Sequence, residues 1–148
     1  MQNNRKTYSP NLRQAKEVLE HKLGNLYGKK VQVNVFADLF DVVDEEWKNA
    51  IEGRMGNLKY ALVTEPQYAH NAAEALRDLK RFEEVTLINS DAIVKADKNV
   101  LPNSLYEAVS TTYDYVDACL KHYLGRIIKC RKWYLVSFLI WGNGVVWV

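Results

Sequence analysis

The apolar positions of the chain fall into a sequence of short periodic segments separated by glycine, proline and charge. Ser9-Pro10 opens the first, with Ser9 as N-cap and Pro10 at the first helical position. The stripe Leu12, Ala15, Leu19, Leu23, Leu26 then predicts an amphipathic helix that Gly24 and Gly28 bring to an end. Its other face carries Arg13, Lys16, Glu17, Glu20 and Lys22. The segment reads either as a solvated amphipathic helix or as the last turns of a coiled-coil arm, being too short to show sustained heptads. Val31 to Phe36 alternates apolar and polar residues before ending in two apolar ones, which predicts a half-buried strand. Tyr60 to Thr64 predicts a second strand. Pro66 opens a helix that turns Tyr68, Ala72, Ala73, Leu76 and Leu79 to the core, and Val85-Thr86-Leu87-Ile88 predicts a third strand. Asn89 to Ser104, interrupted and with Pro102 near its end, reads as a connector. A helix from about 112 to 123 and a strand over 126–129 follow. Strands alternating with helices define an α/β layer arrangement.

Within this order one phrase occurs twice. Trp47-x-x-Ala50, then Gly56 and Tyr60-Ala61-Leu62-Val63, is answered by Tyr115-x-x-Ala118, then Gly125 and Ile127-Ile128; alanine to glycine spans six residues in the first copy and seven in the second. An aromatic, a small residue, a glycine and an apolar run suit a helix that packs on a sheet, stops at a C-cap glycine and turns into a buried strand. The chain therefore reads as two related helix-strand halves. Asp44-Glu45-Glu46 puts three carboxylates in the first turn of the first of these helices, where the helix dipole favours negative charge; this reading is preferred to paired catalytic carboxylates.

The order of these elements resembles the hinge domain of structural maintenance of chromosomes (SMC) proteins. The resemblance rests on Asp38-Leu39, the run Asp44 to Glu52, Met55-Gly56, Tyr60 to Val63, Ala72 to Leu79 and Val85 to Asn89, and covers about Val33 to Cys130. Trp47, Ala50-Ile51-Glu52-Gly53 and Leu124 to Cys130 look most like the MukB-like and Wadjet-type branch. The resemblance implies a hinge that joins two coiled-coil arms, forms a homodimer and contacts DNA in a chromosome-maintenance ATPase whose heads lie elsewhere. The chain contains no G-x-x-x-x-G-K-[S/T] phosphate loop and is expected to be non-enzymatic. The expected organisation is an N-terminal helix over 1–30, a hinge-like α/β domain over 31–132 and an apolar tail over 133–148.

That tail departs from the hinge pattern. From Trp133 to Val148 there is no charge in sixteen residues. A membrane helix needs about 20 apolar residues, and Gly142-Asn143-Gly144 suits the turn of a β-hairpin better. An exposed apolar hairpin must pack on the body, pair with another chain or touch a membrane. Two readings follow. The chain is a piece of a longer gene whose residues after about Arg131 lie outside the ancestral frame, or it is a free-standing α/β interaction module that uses its tail.

Composition adds limits. At 148 residues, 48% hydrophobic and 26% charged, with a net charge of +2, the chain is long enough for one folded domain and too balanced to announce nucleic-acid binding by charge alone. Met1 to Lys6 has no apolar stretch behind its charges, so a cytoplasmic location is expected. Cys119 and Cys130 lack metal-ligand spacing, and Cys119 belongs to an apolar helix face. His21, His70 and His122 are far apart and read as surface helix residues, so neither a metal nor a cofactor is expected. One local cluster stands out. Lys121 to Lys132 holds Lys121, Arg126, Lys129, Arg131 and Lys132 and no acid, a set able to neutralise phosphates beside Tyr123 and Trp133 as stacking surfaces. The alternative is a solvated strand edge whose lysines discourage aggregation. A DNA contact here predicts affinity that falls with salt and on changing Lys129, Arg131 and Lys132 to alanine.

Overall fold

In the computed structural model, residues 8–130 and 144–147 are described. Helix α1 spans Pro10–Tyr27. The Ser9 hydroxyl accepts from the Leu12 amide at 3.2 Å, and Gly28, with φ +67°, closes the last turn by donating to the Gly24 carbonyl. The positive φ is what makes glycine the fitting residue there. Leu12, Ala15, Leu19 and Leu23 are buried as the stripe requires, whereas Leu26 is 61% exposed.

The remaining elements are β1 Asn34–Val35, β2 Asp41–Val42, α2 Lys48–Met55, β3 Leu62–Val63, α3 Pro66–Arg77, α4 Ser90–Lys95, β4 Val109–Ser110, α5 Asp114–Leu124, β5 Ile127–Cys130 and β6 Gly144–Trp147. Short 3-10 turns link several of them. Strand β1 pairs antiparallel with β3, β2 antiparallel with β4, and β5 parallel with β6. The architecture is α/β with two helix-strand halves, as the sequence predicts, but its sheets are reduced to short ladders.

The shortening has local causes. The expected strand over 31–36 survives only at Asn34–Val35: the Val33 amide is taken by the Glu20 carboxylate from α1 at 3.1 Å, and Phe36–Asp38 winds into a 3-10 turn. The strand over 60–64 narrows to Leu62–Val63 because Gly56–Tyr60 is a 3-10 turn. Val85 to Ile88 contributes one parallel bridge, Leu62 to Leu87, with the Leu62 amide donating to Thr86 and the Ile88 amide donating to Leu62, both at 2.8 Å. The expected connector contains a helix, α4, whose first turn is capped by the Asn89 side chain accepting from the Ala92 amide. The expected tail hairpin lies largely outside the described residues; Gly144–Trp147 runs alongside β5.

The two copies of the repeated phrase do meet. Trp47 and Ile51 pack with Val116, Cys119, Leu120 and Leu124 in one buried cluster, and Ala50, Tyr115 and Ala118 pack partly buried against it. Asp44 caps a 3-10 turn over Glu45–Trp47 by accepting from the Glu46 amide, so the acidic run sits at a helix start. A second cluster joins the α1 stripe to Val31, Val33, Val35, Leu62, Tyr68 and Phe82. Alternation along a strand explains the division. In the β1–β3 ladder, Val35 and its partner Leu62 belong to the α1 cluster, while the flanking Phe36, Ala61 and Val63 belong to the cluster shared by the halves. The ladder is a wall between two cores. Fully burying one large apolar side chain contributes about 1.5–3 kcal/mol, so each cluster is a substantial source of stability.

Candidate nucleic-acid interface

The basic segment spans the end of α5, the turn at Gly125 and strand β5. Lys121 and His122 lie in the last turn of α5, where positive charge complements the helix dipole. The Gly125 amide donates to the Lys121 carbonyl at 2.9 Å and ends the helix. Gly125 itself is right-handed, with φ −68°, so its need for glycine is steric: a Cβ there meets the Lys121 carbonyl oxygen and the Val100 side chain. Arg126 follows, exposed and without an ion pair among the described residues. Arg131, Lys132 and Trp133 lie outside the described residues.

The two described lysines are not free. The Lys121 ammonium is 3.2 Å from Asp117, one turn earlier, and lies over the Tyr106 ring at 5.8 Å from its centroid. The Tyr106 hydroxyl donates to the same Asp117 carboxylate, and its phenol is pushed up to about 12, by burial first and then by that bond. The Lys129 ammonium is 3.3 Å from Glu107 and 5.8 Å from the centroid of the buried Trp47 ring; its side chain is only 14% exposed. The other Glu107 oxygen accepts from the Asn103 amide at 2.8 Å, and the Asn103 side chain donates to the Lys129 carbonyl at 3.2 Å. Asn103 takes φ +62°, which asparagine tolerates better than most residues, and its carbonyl accepts from the Lys129 amide at 2.8 Å. Asn103, Glu107 and Lys129 thus form a closed ring that fixes the loop before the 3-10 turn Leu105–Ala108 onto β5.

Tyr123 is half-buried. Its ring packs edge-on to Phe36 at 6.2 Å and against His122 at 4.9 Å, and burial raises its phenol pKa. It serves the core more than a stacking surface. Sequence reasoning missed Glu107 and Asn103. Asp117 stands four residues before Lys121, a pairing the helical spacing does offer, whereas Glu107 reaches Lys129 only through the tertiary fold. Cys119 is fully buried with its thiol pushed up to about 11 by desolvation, a core residue rather than a nucleophile. Among the described residues no His, Cys, Asp and Glu cluster has metal-binding geometry, and no helix is long and apolar enough to cross a membrane.

These features define a small α/β domain of two helix-strand halves around a shared core. Solved structures place that arrangement more narrowly. The chain is similar to the hinge domain of the Pyrococcus furiosus SMC protein, with 19% identity and a TM-score of 0.62 over 93% of this chain and 79% of that one. It is similar to the Geobacillus stearothermophilus SMC hinge domain, solved as an asymmetric dimer, with 18% identity and a TM-score of 0.61 over 92% of this chain and 66% of that one. A Pyrococcus furiosus Smc hinge domain with an extended coiled coil matches with 17% identity and a TM-score of 0.53 over 84% of this chain and 55% of that one. The fold is that of an SMC hinge domain. No protein-family model and no curated protein matches the chain.

Proposed function

We propose that this chain is a non-enzymatic hinge module of an SMC-type ATPase, cytoplasmic, joining coiled-coil arms, forming a homodimer and contacting DNA in chromosome maintenance. The observation that carries this reading is the agreement in fold with SMC hinge domains over nearly the whole chain. That breadth favours the hinge over a free-standing module built around the apolar tail. The buried tryptophan at the start of α2 and the Leu124 to Cys130 phrase support placement in the MukB-like and Wadjet-type branch. Helix α1, with a charged outer face and a buried leucine stripe, packs beside the hinge-like core where an arm would join it.

Sedimentation equilibrium of the whole chain tests self-association. A dimer is expected, and a monomer up to high concentration would overturn that part of the reading. DNA contact is tested separately by binding to a labelled duplex. Affinity is expected to fall with salt, and to fall again when Arg126, Arg131 and Lys132 are changed together to alanine. Salt-independent binding would count against the basic segment as the contact.

A further inference from the structure

We propose that the 3-10 turn Leu105–Ala108 is a built-in mask over the basic face: its Glu107 carboxylate sits on Lys129, and its Tyr106 hydroxyl and ring brace the α5 pair Asp117–Lys121, in the positions that nucleic-acid phosphates would otherwise take. The proposal rests on the DNA-contact reading above and adds its regulation. Two consecutive residues of this turn act on two different lysines. Tyr106 donates to Asp117, and Asp117 holds Lys121 at 3.2 Å; Glu107 holds Lys129 directly at 3.3 Å. Aromatic rings back both ammonium groups, Tyr106 under Lys121 and Trp47 under Lys129, each at 5.8 Å. Glu107 is itself fixed, because its second oxygen accepts from the Asn103 amide. A carboxylate ion-paired to an ammonium occupies the same donor hydrogens a phosphate oxygen would accept from. Phosphate binding therefore competes with Asp117 and Glu107 for these ammonium groups, while exposed Arg126 meets no such competition among the described residues. Anything that draws the turn away, such as movement of the connector over 99–104, takes Glu107 off Lys129 and removes the Tyr106 hydroxyl and ring from the Asp117–Lys121 pair, which itself stays within α5.

The test uses the whole chain, a fluorescein-labelled DNA duplex and anisotropy over a salt series. Glu107→Gln and Asp117→Asn keep shape and hydrogen-bond acceptors while removing the competing charge. Each is expected to bind about two- to fivefold tighter, the equivalent of one modest, partly exposed ion pair, with a log K against log salt slope steeper by about one. Asp114→Asn, on the same helix, controls for general loss of negative charge. The double variant Glu107→Gln/Lys129→Ala is expected to bind no tighter than Lys129→Ala, since the gain runs through that lysine. Wild-type binding with a normal salt slope, but E107Q and D117N no tighter than D114N, would overturn the mask and leave the DNA reading standing. No binding by wild type or any variant would overturn both. A readout independent of DNA is the rate of reductive methylation of Lys129, expected to rise in E107Q; an unchanged rate would also overturn the mask.

Discussion

Glu20 and Val33 are joined by a hydrogen bond from strand approach to helix side chain: the Val33 amide donates to the Glu20 carboxylate at 3.1 Å, while the other carboxylate oxygen pairs with Lys16 at 3.2 Å. Val33 has no exposed surface, so this carboxylate is the partner that makes its burial tolerable. Glu20→Ala is expected to cost about 1–3 kcal/mol by leaving a buried amide unmet. Lys16→Ala, which removes only a partly exposed ion pair, is expected to cost about 0–1 kcal/mol. Urea unfolding followed by circular dichroism separates the two; equal losses would mean that the ion pair rather than the amide matters.

Trp47 is 1% exposed and touches elements from both halves. Trp47→Ala is expected to destabilise by about 3–5 kcal/mol through the cavity it leaves. Trp47→Phe, keeping much of the volume, is expected to cost clearly less. The check is the same unfolding curve, with the urea midpoint as readout.

Gly125→Ala places a methyl group against the Lys121 carbonyl oxygen, which is backbone and has little room to give. The expected loss is about 1–3 kcal/mol, typical of forced overpacking. Gly53→Ala is the comparison, since a Cβ there meets nothing within 4 Å and the position is helical. That change is expected to be neutral or slightly stabilising.

Stability should fall in alkali. Burial raises the Cys119 thiol from 9.0 to about 11 and the Tyr115 phenol from 10.0 to about 12. A raised folded-state value means that the native chain holds these protons more tightly than the unfolded chain. The contribution is therefore full below about pH 9 and declines as pH rises through 11 and 12. Urea midpoints measured from neutral pH upwards should decline over that window, and Cys119→Ala should flatten its lower part. A flat profile in the wild type would contradict the burial of both groups.

The sequence was readable where one residue type has one consequence. Ser9-Pro10 and the spacing of Leu12, Ala15, Leu19 and Leu23 defined α1, and the repeated aromatic-alanine-glycine phrase located α2 and α5 on one core. It was unreadable where a distant side chain competes with the backbone. Nothing local to Val31–Phe36 says that Glu20 removes the Val33 amide from strand pairing. Helix α4 was hidden by its length of six residues, although Asn89 as an N-cap was there to see. At the candidate interface the cations were plain, and Asp117 stood at helical spacing from Lys121. Glu107 and Asn103 were not, because they lie more than twenty residues before Lys129 and reach β5 only through the fold.

The wall between the two cores also sets how this molecule yields to force. Helix α1 spends its whole buried stripe on the cluster that contains no residue of α5, and it meets the other cluster across a ladder two residues long. A pull along α1 is therefore expected to strain the cluster of Leu12, Leu19, Val33 and Leu62 before the core shared by Trp47, Leu120 and Leu124. Tension arriving at the helix is expected to reach the α1 cluster first, on one side of the β1–β3 ladder, and the union of the two halves on the other side only afterwards.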